Sequence, residues 1–144
     1  QGQFDGLVVA KAAVTRLGLK KNSYEFSIDE MLPAASQGHI AIECLSSNKS
    51  MIKILENIGD SKELILANAE RLFVALMDGD CLSPIAILCQ DSGDEIKIIG
   101  KVLSYEGDKL IYKETKSSFK DIKKDIVLFA NKFISEGAKT LILK

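Results

Sequence analysis

Between residues 61 and 137 the apolar spacing changes period twice, and that change dictates what this stretch can fold into. Asp60-x-x-Glu63 resembles a capping box. From there Ile65, Ala69, Leu72, Phe73 and Leu76 recur at helical spacing up to a stop at Gly79. The spacing then falls to two. Ile85, Ile87 and Cys89 alternate with smaller residues, Asp91-Ser92-Gly93-Asp94 turns, and Ile96, Ile98, Gly100 and Val102 line one face of a second strand. Glu106-Gly107-Asp108 is a hairpin turn into a third strand that starts at Leu110 and Tyr112. Helical spacing returns with Ile122, Ile126, Phe129, Ala130 and Phe133, capped near Ser117 or Ser118 and stopped at Gly137; Thr140 to Leu143 reads as a closing strand or tail. The pattern predicts an α+β unit: helix, three-stranded antiparallel sheet, helix, with its own core.

Residues 1 to 59 read differently. Phe4 to Ala10 is predicted as a buried strand, Lys11 to Leu17 as a short helix with Gly18 as its C′ residue, and Lys20 to Asp29 as a polar loop. Leu32-Pro33 breaks the chain. His39 to Leu45 alternates as a strand, and Ser46-Ser47-Asn48 caps a helix carrying Met51, Ile52, Leu55 and Ile58, which ends near Gly59. This half has few strands to pair with one another.

Composition narrows the function classes. The chain has 144 residues, 47% of them hydrophobic and 27% charged, which is a globular balance. Its net charge of −1 disfavours a broad nucleic-acid footprint. No apolar run reaches the roughly 18 residues of a membrane span. Gln1-Gly2-Gln3-Phe4-Asp5 has no basic region of a secretory leader, and the chain reads as a piece of something longer or as a processed one. Three cysteines, an odd count, argue against a disulfide framework and for a reducing compartment. A single histidine, His39, and the lack of any CxxC spacing disfavour a metal site. Only Arg16 and Arg71 are available for bidentate recognition of carboxylates.

Among residues that could carry chemistry, Cys81 lies just past a helix end, in Gly79-Asp80-Cys81-Leu82-Ser83-Pro84. The helix C-terminus, Asp78 and Asp80 all disfavour a thiolate, which argues against a turnover nucleophile. A one-time covalent attachment and an inert loop thiol both stay open. Cys44 and Cys89 fall inside strand patterns and read as core. Ala34-Ala35-Ser36-Gln37-Gly38 is an ordinary loop or a place where a ligand meets backbone N–H groups. Arg16 is either a solvated cap or a carboxylate clamp. Arg71 reads as a surface or interdomain ion pair, and Lys120, Lys123 and Lys124 as a solvated helix face.

Three segments, in order, resemble porphobilinogen deaminase (hydroxymethylbilane synthase). Asp5-Gly6-Leu7-Val8-Val9-Ala10 running to Arg16-Leu17-Gly18-Leu19 is similar to the family's first strand–helix motif. Leu32-Pro33-Ala34-Ala35-Ser36-Gln37-Gly38 with Ile42-Glu43-Cys44 is similar to its second. Ala69-Glu70-Arg71 followed by Gly79-Asp80-Cys81 and Pro84-Ile85-Ala86 is similar to its third. The resemblance implies a cytoplasmic transferase of tetrapyrrole biosynthesis. That enzyme joins four porphobilinogen units, with loss of ammonia, on a dipyrromethane cofactor held through a thioether. By resemblance Cys81 is the attachment residue, Arg16 binds substrate or cofactor carboxylates, and the backbone at Gln37 and Gly38 meets the cofactor.

The same resemblance divides the chain. Residues 1–30 match the end of a second α/β domain resembling periplasmic binding proteins, 31–58 the return segment of a first such domain, and 59–144 a C-terminal α+β domain. The catalytic aspartate is then expected upstream, in a missing N-terminal half, so the chain alone is expected to be inactive and to self-associate. Ser36, His39, Asp80 and Leu82-Ser83 depart from the family pattern. The alternative is a noncatalytic small-ligand or protein-interaction module of the same fold.

Overall fold

The computed structural model describes residues 4–19 and 23–143; the first part of the predicted 20–29 loop lies outside them. Two compact units divide between Met31 and Leu32.

Among its described residues the first unit contains one helix, α1 (Lys11–Arg16), followed by Gly18 at φ +67. The predicted strand at residues 4–10 does not form, and Phe4, Leu7, Val8 and Val9 are exposed. An extended run becomes a strand only when a neighbour takes up its N–H and C=O groups, and no such neighbour exists among the described residues. Ser27 and Glu30 close a small turn of their own: the Glu30 carboxylate accepts from the Ser27 N–H at 2.8 Å and its hydroxyl at 2.9 Å.

The second unit holds α2 (Lys49–Ile58), α3 (Ser61–Leu76), β1 (Ile85–Asp91), β2 (Ile96–Leu103), β3 (Leu110–Ser117), α4 (Ile122–Ser135) and α5 (Ala138–Leu141). The sheet is antiparallel in the order β1-β2-β3, with Ile87 opposite Gly100 and Ile98 opposite Thr115. This is the predicted helix–sheet–helix unit. Asn48 caps α2, its side chain accepting from the Met51 N–H at 3.1 Å. Asp60 caps α3, accepting from the N–H groups of Lys62 and Glu63 at 2.9 and 3.2 Å. At α4 the cap shifts from the predicted serines to Asp121, while the Ser118 hydroxyl accepts from the Asp121 N–H in the preceding turn.

Ile122, Ile126, Phe129, Ala130 and Phe133 are the buried stripe of α4, as their spacing predicts. On α3 the buried face is Leu66, Ala69, Glu70 and Phe73, and Ile65 is exposed. Phe73, Phe129 and Phe133 pack on one another with centroids 5.1–5.6 Å apart. Gly100 makes room for them: a Cβ there would lie 2.9 Å from Phe133 Cζ and 3.0 Å from Phe129 Cε1.

Two further expectations are corrected. His39 to Leu45 is unpaired, with Ile40 83% exposed, again because no strand lies beside it among the described residues. Thr140 to Leu143 is not a strand; α5 follows Gly137 at φ +87, and Ile142 turns into the core.

Candidate functional site

The cysteine loop begins where α3 stops. Asp78 adopts φ +57, its N–H donates to Ala75 O at 3.1 Å, and the Gly79 N–H donates to Val74 O at 3.1 Å. This pair of bonds is a Schellman closure, which satisfies carbonyls a helix end leaves open. Gly79 sits tight: a Cβ would fall 2.5 Å from Ile85 Cδ1 and 3.3 Å from Val74 Cγ1. Lys139 on α5 pairs with Asp78.

The next four residues form a second, smaller closure. The Asp80 N–H donates to Ser83 Oγ at 3.0 Å, and the Ser83 hydroxyl donates back to Asp80 Oδ1 at 2.9 Å. The Leu82 N–H reaches the same Oδ1 at 2.9 Å, and the Ser83 N–H donates to Asp80 O at 3.2 Å. Cys81 is exposed within this turn, and Leu82 beside it is 70% exposed. β1 starts immediately afterwards, the Leu103 N–H donating to Pro84 O at 3.0 Å.

A second loop is fastened to the middle of α3. Leu32 is buried and Ala35 packs against the core. Ser36 adopts φ +59, the left-handed region that a side chain rarely takes. Its N–H donates to Glu70 Oε2 at 2.6 Å and its hydroxyl to Ala67 O at 3.3 Å. Glu70 Oε1 accepts from the Cys89 N–H at 2.7 Å, on the edge of β1 that β2 does not cover. Gln37 and Gly38 lie exposed at the tip. The N–H groups of Gln37 and His39 are taken up within the loop, by Ala34 O and Ser36 O. That of Gly38 has no acceptor among the described residues.

Glu70 is the residue that sequence reasoning missed. It is 2% exposed and faces the core side of α3. Burial raises its pKa; the Cys89 and Ser36 N–H groups oppose that rise, as does nearby His39, while Glu63 adds to it. His39 Nε2 lies 3.1 Å from Glu63 Oε2 without hydrogen-bond alignment. The available signal was a carboxylate four residues after one apolar position and three before another, inside a stripe.

The three thiols differ. Cys89 is buried, and burial, with Glu70 nearby, pushes its pKa up to about 12. Cys81 is exposed, as its loop position predicts. Cys44, predicted to be core, is exposed because the strand that would have buried it does not form. Arg16 belongs to the first unit, beside Lys11, Ala12 and Thr15 around a shallow open depression, and its guanidinium has no partner among the described residues. Arg71, Lys120, Lys123 and Lys124 are exposed. Among the described residues no cluster of His, Cys, Asp and Glu could hold a metal, and no helix is long and apolar enough to cross a membrane.

Comparison with known proteins places these loops in two matched regions. Residues 1–53 match the family model described as "Porphobilinogen deaminase, dipyromethane cofactor binding domain", which takes in Arg16, Gln37 and Gly38. Residues 64–133 match "Porphobilinogen deaminase, C-terminal domain", which takes in Cys81. A porphobilinogen deaminase of Campylobacter hominis is 36% identical over 99% of this chain and 47% of its own length. One from Campylobacter jejuni is 35% identical over 98% of this chain and 47% of its own length. A Campylobacter lari relative of the same name is 32% identical over 97% of this chain and 46% of its own length. The chain spans about half the length of the curated relatives it matches.

Proposed function

We propose, because the chain belongs to the porphobilinogen deaminase family, that it is the C-terminal half of a cytoplasmic transferase of tetrapyrrole biosynthesis. The parent enzyme joins four porphobilinogen units head to tail, with loss of ammonia. A dipyrromethane bound through Cys81 supplies the anchored primer for that growth. Residues 1–30 then end a second α/β domain, 31–58 complete a first, and 59–144 form the C-terminal domain. The catalytic aspartate lies in the N-terminal half, which is the partner this chain works with.

Each proposed site residue has a task suited to its surroundings. Cys81 supplies sulfur. A new S–C bond forms at the aminomethyl carbon of porphobilinogen as the C–N bond breaks, and the amine departs as ammonia carrying the thiol proton. Gln37 and the unengaged N–H of Gly38 meet the bound group at the tip of a loop that Glu70 holds. Arg16 offers a fork of donors to a carboxylate. The observation that carries the reading is the exposure of Cys81 in a hydrogen-bonded turn after Gly79, where a pyrrole-sized electrophile can reach it; Cys89 is sealed, and Cys44, though exposed, lies in an unpaired run.

Intact mass of the full-length protein tests it. The wild type should carry an adduct of two pyrrole units and give an Ehrlich colour. Cys81→Ser should lose both, and Cys44→Ser and Cys89→Ser should keep them. An adduct retained in Cys81→Ser sinks the assignment.

A further inference from the structure

Two of the departures from the family pattern, Asp80 and Ser83, are partners in space. Each donates to or accepts from the other, and between them they engage the backbone N–H groups on both sides of Cys81. The two positions ahead of the cysteine are not equivalent. At 79 a side chain would press on Ile85 and Val74, whereas Asp80 is exposed and its φ lies outside the left-handed region. A residue with an acceptor side chain therefore fits at 80 without disturbing the core, and a glycine there would leave Ser83 the backbone N–H of residue 80 alone.

We propose that Asp80 and Ser83 are positioning residues: a paired brace that holds the Cys81 backbone in one conformation for thioether formation. The proposal rests on the cofactor reading above. A reacting sulfur on a free loop must be ordered each time it meets its electrophile, and that ordering cost is removed when the loop is closed beforehand. The brace acts through bond-accepting oxygen atoms. Asp80 Oδ1 accepts two bonds, and an amide oxygen at the same place can accept both.

The test uses the full-length enzyme prepared without cofactor, given porphobilinogen, and followed by intact mass against time. Asp80→Ala and Ser83→Ala should each load about fivefold or more slowly, the loss of roughly one net hydrogen bond or more. The double variant should be slowed by less than the product of the two single losses, because both singles break the same Ser83–Asp80 bond. Asp80→Asn should restore the wild-type loading rate. Melting temperatures of all four should stay close to wild type, because the turn is exposed. Amide exchange gives a readout free of the cofactor: Leu82 and Ser83 should be protected in the wild type and unprotected in Asp80→Ala.

Wild-type loading rates in Asp80→Ala, or multiplicative losses in the double variant, overturn the brace while leaving the cofactor reading intact. Unprotected amides in the wild type overturn it directly. Protected amides with no loading at all overturn the cofactor reading and, with it, the positioning role.

Discussion

The Ser36 N–H donates to the Glu70 carboxylate at 2.6 Å, across 34 residues of sequence. The other oxygen of that carboxylate takes the Cys89 N–H at 2.7 Å, so one buried side chain holds a loop and a strand edge together. Ser36 keeps a left-handed backbone that costs of order 1–3 kcal/mol. It is tolerated because Glu70 and Ala67 over-determine it. Replacing Glu70 by alanine leaves two donors without an acceptor. We expect a loss of about 2 kcal/mol or more in unfolding free energy, measured by urea titration.

Glu70 also gives stability a pH dependence of known sign. Its folded-state pKa is raised, by burial first. The folded protein therefore holds that proton to higher pH than the unfolded chain does. The contribution to stability is full below the ordinary carboxylate value of about 4 and is lost as pH rises through the raised value. The difference in unfolding free energy between wild type and Glu70→Gln should change across that window and level off above it. A constant difference would show that Glu70 does not titrate there.

Thiol labelling should separate the cysteines two to one. Cys81 and Cys44 are exposed, and Cys89 is buried with its pKa pushed up to about 12. With iodoacetamide at neutral pH, two alkyl groups should appear quickly on the folded chain and the third only on unfolding. Peptide mapping that finds Cys89 labelled in the first phase would contradict the burial described for β1.

Gly100 and Gly79 should differ in their tolerance of alanine. At Gly100 the new methyl meets two packed rings, Phe133 and Phe129, with no room to retreat. Overpacking of this kind costs about 1–3 kcal/mol. At Gly79 the closest atom is the terminal methyl of Ile85, which can turn aside. Thermal melts should rank Gly100→Ala below Gly79→Ala, and the reverse order would mean that the sheet shifts to accommodate the methyl.

Residues 59–144, expressed alone, should fold cooperatively, since among the described residues the main core cluster runs from Leu66 to Ile142, with the partly buried Ala35 packed against it and Leu32 buried outside it. The whole 144-residue chain should instead self-associate. Phe4, Leu7, Val8, Ile40, Ile42 and Leu45 are all exposed, and unpaired apolar segments recruit other chains. Size exclusion with light scattering checks both expectations: a monodisperse monomer of the full 144 residues across micromolar concentrations would refute the second.

What the sequence made legible was whatever depended on near neighbours. The α4 stripe and the alternation of β2 come from residues whose partners lie within the same 80 residues, so period alone located them. The runs at 4–10 and 39–45 have strand composition but no partner among the described residues, and a strand is a property of a pair. Cys44 followed its run into error for that reason. On α3 Ala69 and Phe73 are buried and Leu72 and Leu76 pack partly against the core as their spacing predicts, but Ile65 is apolar yet exposed and two buried positions, Leu66 and Glu70, escape the pattern. Pattern reading assigns a glutamate to the surface. At the candidate site the exposure of Cys81 was legible from its turn residues. The reciprocal bonding of Asp80 and Ser83 was not, since two departures from a motif look independent until their side chains meet.

Both loops of the candidate site are fastened to one rod. Glu70 and Leu76, the last residue of α3, are six residues apart, about 9 Å along its axis. A helix is stiff over that length, so the Ser36 loop and the Cys81 loop cannot drift apart by sliding along it. Their remaining freedom is rotational, at the Glu70 side chain on one side and at the turn after Met77 on the other. A displacement of α3 therefore moves both loops together.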